Sequence, residues 1–170
     1  MATVKVNGID IYYEIHGDAY DRAGPRERLL LIMGLGANAT AWEAQMSALS
    51  EECQVIAFDN RGAGRSEKPN EPYSMPQMAD DAAGLMGELG IESAHVFGMS
   101  MGGMIAQELV LRHPQKVRTL VLGGTMPGGP KAVTAGPQLV QHMASVATLP
   151  MEKTIEAGLV LKEYIMRGLV

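Results

Sequence analysis

The stretch that most constrains this 170-residue chain is Gly98-Met99-Ser100-Met101-Gly102. An apolar run at 94–97 leads into it. A run of small and apolar residues with helical spacing, 100–111, leads out and stops at His113-Pro114. A strand that becomes a helix within so few residues must turn sharply at Ser100, in a strained backbone conformation. Glycines at positions 98 and 102 suit that turn, because side chains there would collide with neighbouring backbone. The turn lifts the serine hydroxyl above the sheet. It also leaves the Met101 N–H at a helix start, where no intrahelical acceptor exists and the dipole favours negative charge.

The rest of the chain alternates short apolar runs with helical periodicity. The runs 4–6 and 11–15 flank Asn7-Gly8 and predict a hairpin. Residues 29–33 and 55–58 are continuously apolar, as strands buried on both faces are. Between them, 40–49 has helical spacing with Trp42, Met46 and Leu49 on one side. Ser74 and Gln77 form a capping box around Pro76. They open a helix that buries Met78, Ala82, Leu85, Met86 and Leu89 and stops at Gly90. A last strand falls at 117–122. This order predicts an α/β fold, a mostly parallel sheet with helices on both faces, over residues 1–125. Met126-Pro127-Gly128-Gly129-Pro130 breaks the pattern. Residues 126–170 carry two helical stretches, near 138–146 and 152–166, and no strand.

Charge and composition narrow the partners. Formal net charge is −5 and no basic run exists, which excludes a nucleic-acid footprint. No apolar run nears the roughly 18 residues of a membrane helix, and the N-terminus lacks a signal-peptide pattern. The single Cys53 cannot form an internal disulfide and suits a reducing compartment, so a cytoplasmic location is expected. The 13 methionines read as adaptable core filling. Neither a metal nor a cofactor is expected.

A serine hydroxyl raised beside unpaired backbone donors points to nucleophilic attack on an acyl-type carbon. The bland alternative is a glycine-rich turn capped by serine. Upstream, Met33-Gly34-Leu35-Gly36-Ala37-Asn38-Ala39 joins a buried strand to a helix and would bring the Leu35 N–H as a second donor. The same loop fits the dinucleotide pattern G-x-G-x-x-A from Gly34 to Ala39, with Asp59 ending the next strand. Against that rival, a hairpin precedes the loop and Gly34–Asp59 exceeds the roughly 20-residue spacing expected. Asp59 to Ser66 lacks the Gly-Lys-Ser/Thr ending of a phosphate loop. Asp59 and Arg61 are expected to brace that turn by an ion pair and backbone hydrogen bonds.

Together these pieces resemble the α/β-hydrolase superfamily, nearest in likeness to small cofactor-free esterases, enol-lactonases and the perhydrolases called non-haem haloperoxidases. The likeness rests on the Met33-Gly34-Leu35-Gly36 loop, Trp42, the segment Asp59-Asn60-Arg61-Gly62-Ala63-Gly64-Arg65-Ser66, the Gly98–Gly103 turn and His113-Pro114, in the family's order. It implies Ser100 as nucleophile, the Leu35 and Met101 amides as oxyanion hole, Gly98 and Gly102 supporting the turn, and Met33, Gly34 and Met99 as pocket candidates. The substrate implied is a small ester or lactone. Many relatives carry His-Gly where this chain has Met33-Gly34, which changes the pocket wall.

A serine nucleophile needs a base, and in this family an acid and then a histidine follow it along the chain. His113 lies 13 residues along the same helix, about 20 Å away. His95 lies five residues back on the strand, roughly 16 Å away. His16 has no evident route, and His142 lies in a helical segment that could fold over the site but reads as an ordinary polar-face or cap histidine. The expectation is therefore an N-terminal portion of a hydrolase that ends at the start of a helical cap and is inactive alone. Its acid and histidine would come from beyond residue 170, in a longer chain, a separately encoded C-terminal half or a homo-oligomer. The strand at 117–122 would then be an exposed apolar edge. The alternatives are a catalytically inactive fragment or binding module of the same fold and, more remotely, a dinucleotide-binding protein.

Overall fold

The structure, a computed structural model, describes residues 2–128 together with 136–138, 141 and 145. The chain divides into two compact units, Met1–Pro130 and Lys131–Val170.

The first unit opens with the expected hairpin. Strands β1 (Ala2–Val6) and β2 (Ile9–His16) pair antiparallel with Val6 opposite Ile9. Asn7 and Gly8 both take positive φ, 48° and 87°, the two-residue turn whose twist matches the strands it joins. A two-residue ladder follows, β3 (Tyr20–Asp21) with β4 (Gly24–Pro25), which the sequence pattern did not announce.

Strands β5 (Arg28–Ile32), β6 (Gln54–Phe58), β7 (Ala94–Met99) and β8 (Val117–Gly123) complete the main sheet. Its order is β1-β2-β6-β5-β7-β8. The β6–β5, β5–β7 and β7–β8 pairs are parallel and the two hairpin-side pairs antiparallel, so the sheet is mostly parallel as predicted.

Helices cover both faces. On one side α2 (Met75–Glu88) and α3 (Met101–Arg112) pack Met78, Leu85, Ile105 and Leu109 against Leu30, Ile32, Ile56 and Val96. On the other, a short 3-10 turn (Ala39–Trp42) and α1 (Glu43–Glu52) pack Trp42 and Met46 against Leu31, Val55 and Ala57. Successive residues of β5 and β6 thus enter opposite cores, which is why those strands read as unbroken apolar runs. Leu30, Leu31, Ile32, Val55 and Ile56 are fully buried. Truncating one of these leucines or isoleucines to alanine would cost about 2–5 kcal/mol.

Ser74 caps α2 as expected, its hydroxyl accepting from the Gln77 N–H at 3.3 Å. The reciprocal half of the capping box is absent, because the Gln77 side chain donates to Glu71 instead. Strand β8 is a sheet edge among the described residues. It exposes Val121 and Leu122, the apolar edge the sequence leads one to expect.

In the second unit Pro137, Gln138, Gln141 and Ser145 are helical. The remainder of the helices predicted at 138–146 and 152–166, and His142 with them, lies outside the described residues. No helix among the described residues is long and apolar enough to cross a membrane.

Candidate active site

Ser100 joins β7 directly to α3 and carries φ 56° and ψ −122°. A residue with a side chain is held there only when its surroundings over-determine it. They do. The Ser100 N–H donates to the Gly123 carbonyl at the end of β8, 2.8 Å away, and the Ser100 carbonyl accepts from Gly103 N–H at 2.9 Å. A Cβ on Gly98 would lie 2.4 Å from the Gly102 carbonyl oxygen, and one on Gly102 would lie 2.1 Å from that of Ile32. Both are backbone atoms that cannot swing aside, so the two glycines are required for strand, turn and helix to meet. Ser100 is exposed at the tip of the turn. Met101 begins α3, whose first N–H groups have no partner within the helix.

The loop after β5 passes directly over this turn. A Cβ on Gly34 would lie 2.9 Å from Ser100 Cβ and 3.3 Å from its Oγ. The loop is held from the other side by Asn60, whose Nδ2 donates to the Met33 carbonyl at 2.9 Å. Leu35 projects outward and is 72% exposed. Beside the loop lies a cavity of about 300 Å³ lined by Gly34, Leu35, Asn60, Tyr73, Met78 and Met101, among others. Of the pocket residues expected from the sequence, Gly34 lines this cavity. Met33 and Met99 are half-buried and pack against the Trp42 cluster on the α1 side, where Trp42 meets Phe97 at 5.0 Å between ring centres.

The turn from Asp59 to Ser66 is braced by backbone hydrogen bonds as expected, but not by an ion pair between Asp59 and Arg61. Asp59 is fully buried and accepts from two backbone donors, Ala39 N–H and Arg65 N–H, each at 2.7 Å. Gly64 makes this possible, since a Cβ there would strike the Asp59 carboxylate. Arg61 does not pair with Asp59. Its guanidinium forms a bidentate pair with Asp81 of α2, at 2.5 and 2.9 Å, and reaches Glu71 at 3.2 Å. Asp81 accordingly holds the guanidinium in its charged form, pushing the Arg61 pKa up. Sequence reading missed Asp81. The available signal was a carboxylate on the apolar face of α2, between Met78 and Leu85, where a charge must find a partner. Asp59 is also shut away from any ligand surface, 0% exposed with both oxygens turned onto backbone N–H groups, so it does not present a carboxylate to a ribose and the dinucleotide reading loses its acidic residue.

Each described histidine is engaged elsewhere. His16 meets Glu14 at 3.1 Å, His95 meets Thr119 at 2.7 Å, and His113 closes α3 by bonding Asp80 at 2.8 Å. Among the described residues no group of three or more His, Cys, Asp or Glu could hold a metal ion.

What the geometry assembles is a strained, exposed serine at a helix N-terminus, with a glycine loop against it and a cavity alongside. Comparison with known proteins identifies the fold. A family model described as alpha/beta hydrolase fold matches residues 27–162. A protein of Caulobacter segnis provisionally named carbamate hydrolase RutD is 44% identical over 124 residues, covering 72% of this chain and 45% of its own length. The chain thus spans less than half the length of that curated relative. The enol-lactonase from Burkholderia xenovorans LB400 superimposes with a TM-score of 0.77 at 31% identity, over 98% of this chain and 62% of that one. A thermophilic esterase from Thermogutta terrifontis gives 0.70 at 29%, over 86% of this chain and 52% of its own. The chain belongs to the α/β-hydrolase family.

Proposed function

We propose that this chain carries the nucleophile half of a serine hydrolase acting on small carboxylic esters or lactones. The observation that carries the reading is the strained backbone of Ser100, held by Gly98, Gly102 and Gly123 so that its side chain meets the Gly34 loop. A serine used only to cap a helix needs no such strain.

In this reading Ser100 Oγ attacks the carbonyl carbon of the substrate while a base takes its proton. The carbonyl oxygen gains the charge and accepts hydrogen bonds from the Met101 and Leu35 N–H groups, the first strengthened by the α3 dipole. Collapse expels the alcohol, or opens the lactone, and leaves an acyl-enzyme that water hydrolyses. The triad acid and histidine are assigned to residues beyond 170, and the 170-residue chain alone is expected to be inactive. The names of the relatives, a carbamate hydrolase and an enol-lactonase among them, fit an acyl-type carbon without choosing the leaving group.

The runner-up is a non-catalytic module of the same fold. It draws on the engagement of His16, His95 and His113 with partners other than Ser100. Turnover of p-nitrophenyl esters and small lactones, by this chain together with whatever its gene encodes after Val170, separates the two. The enzyme reading expects turnover that Ser100→Ala abolishes. Turnover that survives Ser100→Ala at the original rate would sink it, and no turnover with either substrate class would favour the module.

A further inference from the structure

One side chain outside the turn hydrogen-bonds the start of the loop beside Ser100. Asn60 follows β6 immediately after Asp59 and is 3% exposed. Its Nδ2 donates to the Met33 carbonyl, while its Oδ1 is buried with no hydrogen-bond partner among the described residues. The same Met33 carbonyl is wedged against α3, since a Cβ on Gly102 would lie 2.8 Å from it. The Met33–Gly34 peptide therefore has one direction, carbonyl toward Asn60 and Gly102, with the Gly34 Cα against Ser100.

Turning a peptide unit over exchanges its N–H for its C=O. A loop with glycine at 34 and 36 resists that rotation little. A Met33 carbonyl released from Asn60 could turn toward Ser100, and a carbonyl oxygen there would repel the negative charge that an oxyanion hole must stabilise. A buried amide with an unpartnered oxygen is uncommon and unfavourable for folding. An aliphatic side chain of the same size would remove that orphan acceptor. What asparagine adds here is the donor to Met33.

We propose that Asn60 is a positioning residue for the reaction at Ser100. By holding the Met33 carbonyl it fixes the loop so that the Leu35 N–H faces the substrate carbonyl oxygen. It acts through the loop and touches no substrate. The inference rests on the reading of Ser100 as nucleophile.

The test compares wild type, Asn60→Leu, Asn60→Asp and Ser100→Ala, each in the chain with whatever its gene encodes after Val170, by steady-state p-nitrophenyl acetate hydrolysis across pH. Asn60→Leu is expected to lower kcat by about tenfold or more at every pH, with KM changed by no more than about twofold. Asn60→Asp provides the readout that mere packing would not move. Ionised, the new carboxyl has no proton to donate to Met33. Protonated, it regains an O–H donor in nearly the amide's shape. Its kcat relative to wild type at the same pH is therefore expected to rise as pH falls.

Wild-type kcat in Asn60→Leu, or a pH-independent ratio for Asn60→Asp, would overturn the proposal. If Asn60→Leu does not fold, the Asn60→Asp ratio decides alone. An inactive Ser100→Ala beside fully active Asn60 variants rejects only the role of Asn60. Full turnover in Ser100→Ala, or none in wild type, rejects the nucleophile reading and this inference with it.

Discussion

Gly34 and Ser100 touch so closely that a single methyl group would not fit between them: a Cβ on Gly34 would stand 2.9 Å from Ser100 Cβ and 3.2 Å from the Met99 carbonyl oxygen. Gly34→Ala must therefore push the loop away from the serine. If the loop supplies an oxyanion donor, kcat/KM should fall by about a hundredfold. Thermal unfolding should move far less, because the loop borders a cavity that gives it room to shift. Steady-state kinetics and a melting curve on the same preparation check both halves. An unchanged kcat/KM would separate the loop from the chemistry.

The backbone at Ser100 supplies a second expectation. A side-chained residue at φ 56° and ψ −122° carries strain worth about 1–3 kcal/mol, and glycine relieves it. Part of that gain is lost to the greater freedom of glycine in the unfolded chain. Ser100→Gly should then stabilise by about 1 kcal/mol, a melting rise of roughly 2–4 °C for a domain of this size, while abolishing turnover. Such opposed effects mark a position held for function. A lower melting temperature would argue that the serine side chain supports the fold.

The Arg61–Asp81 pair makes a third case. Both side chains are almost fully buried, at 3% and 2% exposure, and the contact is bidentate. Among the described residues, Asp81→Asn leaves the guanidinium with half-exposed Glu71 for charge compensation, and should destabilise by about 3 kcal/mol or more. Replacing both residues with leucine should recover much of that loss, because no unpaired charge then remains. Urea unfolding of the single and double variants tests the coupling. Equal stability of Asp81→Asn and wild type would show that the pair contributes little.

Those three cases show what the sequence made legible. Strand and helix placement, the Asn7-Gly8 turn and the Gly98–Gly102 turn all depend on spacing between near neighbours, and local spacing is what a sequence displays. The partner of Arg61 lies 20 positions away on another element, and Asn60 acts on Met33 across 27. No local pattern encodes such pairings, since either end would suit many partners. Asp59 misled for a related reason. It neighbours Arg61 in sequence, but Gly64 lets the turn fold two backbone N–H groups onto its carboxylate first.

Acid should weaken the fold through two carboxylates. Hydrogen bonds from Arg112, and then from His113, hold the Asp80 carboxyl below its ordinary range. The Tyr12 hydroxyl foremost, with His16 and Arg65, does the same for Glu14. A carboxylate whose folded pKa is depressed adds stability above its unfolded pKa, about 3.9 for Asp and 4.3 for Glu, and loses it as pH falls through the folded value. Stability should therefore decline below about pH 4, and the decline should be shallower in Asp80→Asn and Glu14→Gln. Melting temperatures from pH 7 to 2.5 check the sign. Variants that steepen the acid limb would contradict it.

The central claim is that Ser100 is the nucleophile, and covalent labelling tests it most directly. A fluorophosphonate probe would be added to the chain together with whatever its gene encodes after Val170, and the adduct located by intact-mass and peptide mass spectrometry. The account predicts one phosphonyl group per chain, on Ser100, absent from Ser100→Ala and formed far more slowly on the 170-residue chain alone. No adduct, or an adduct that persists undiminished in Ser100→Ala, would contradict it.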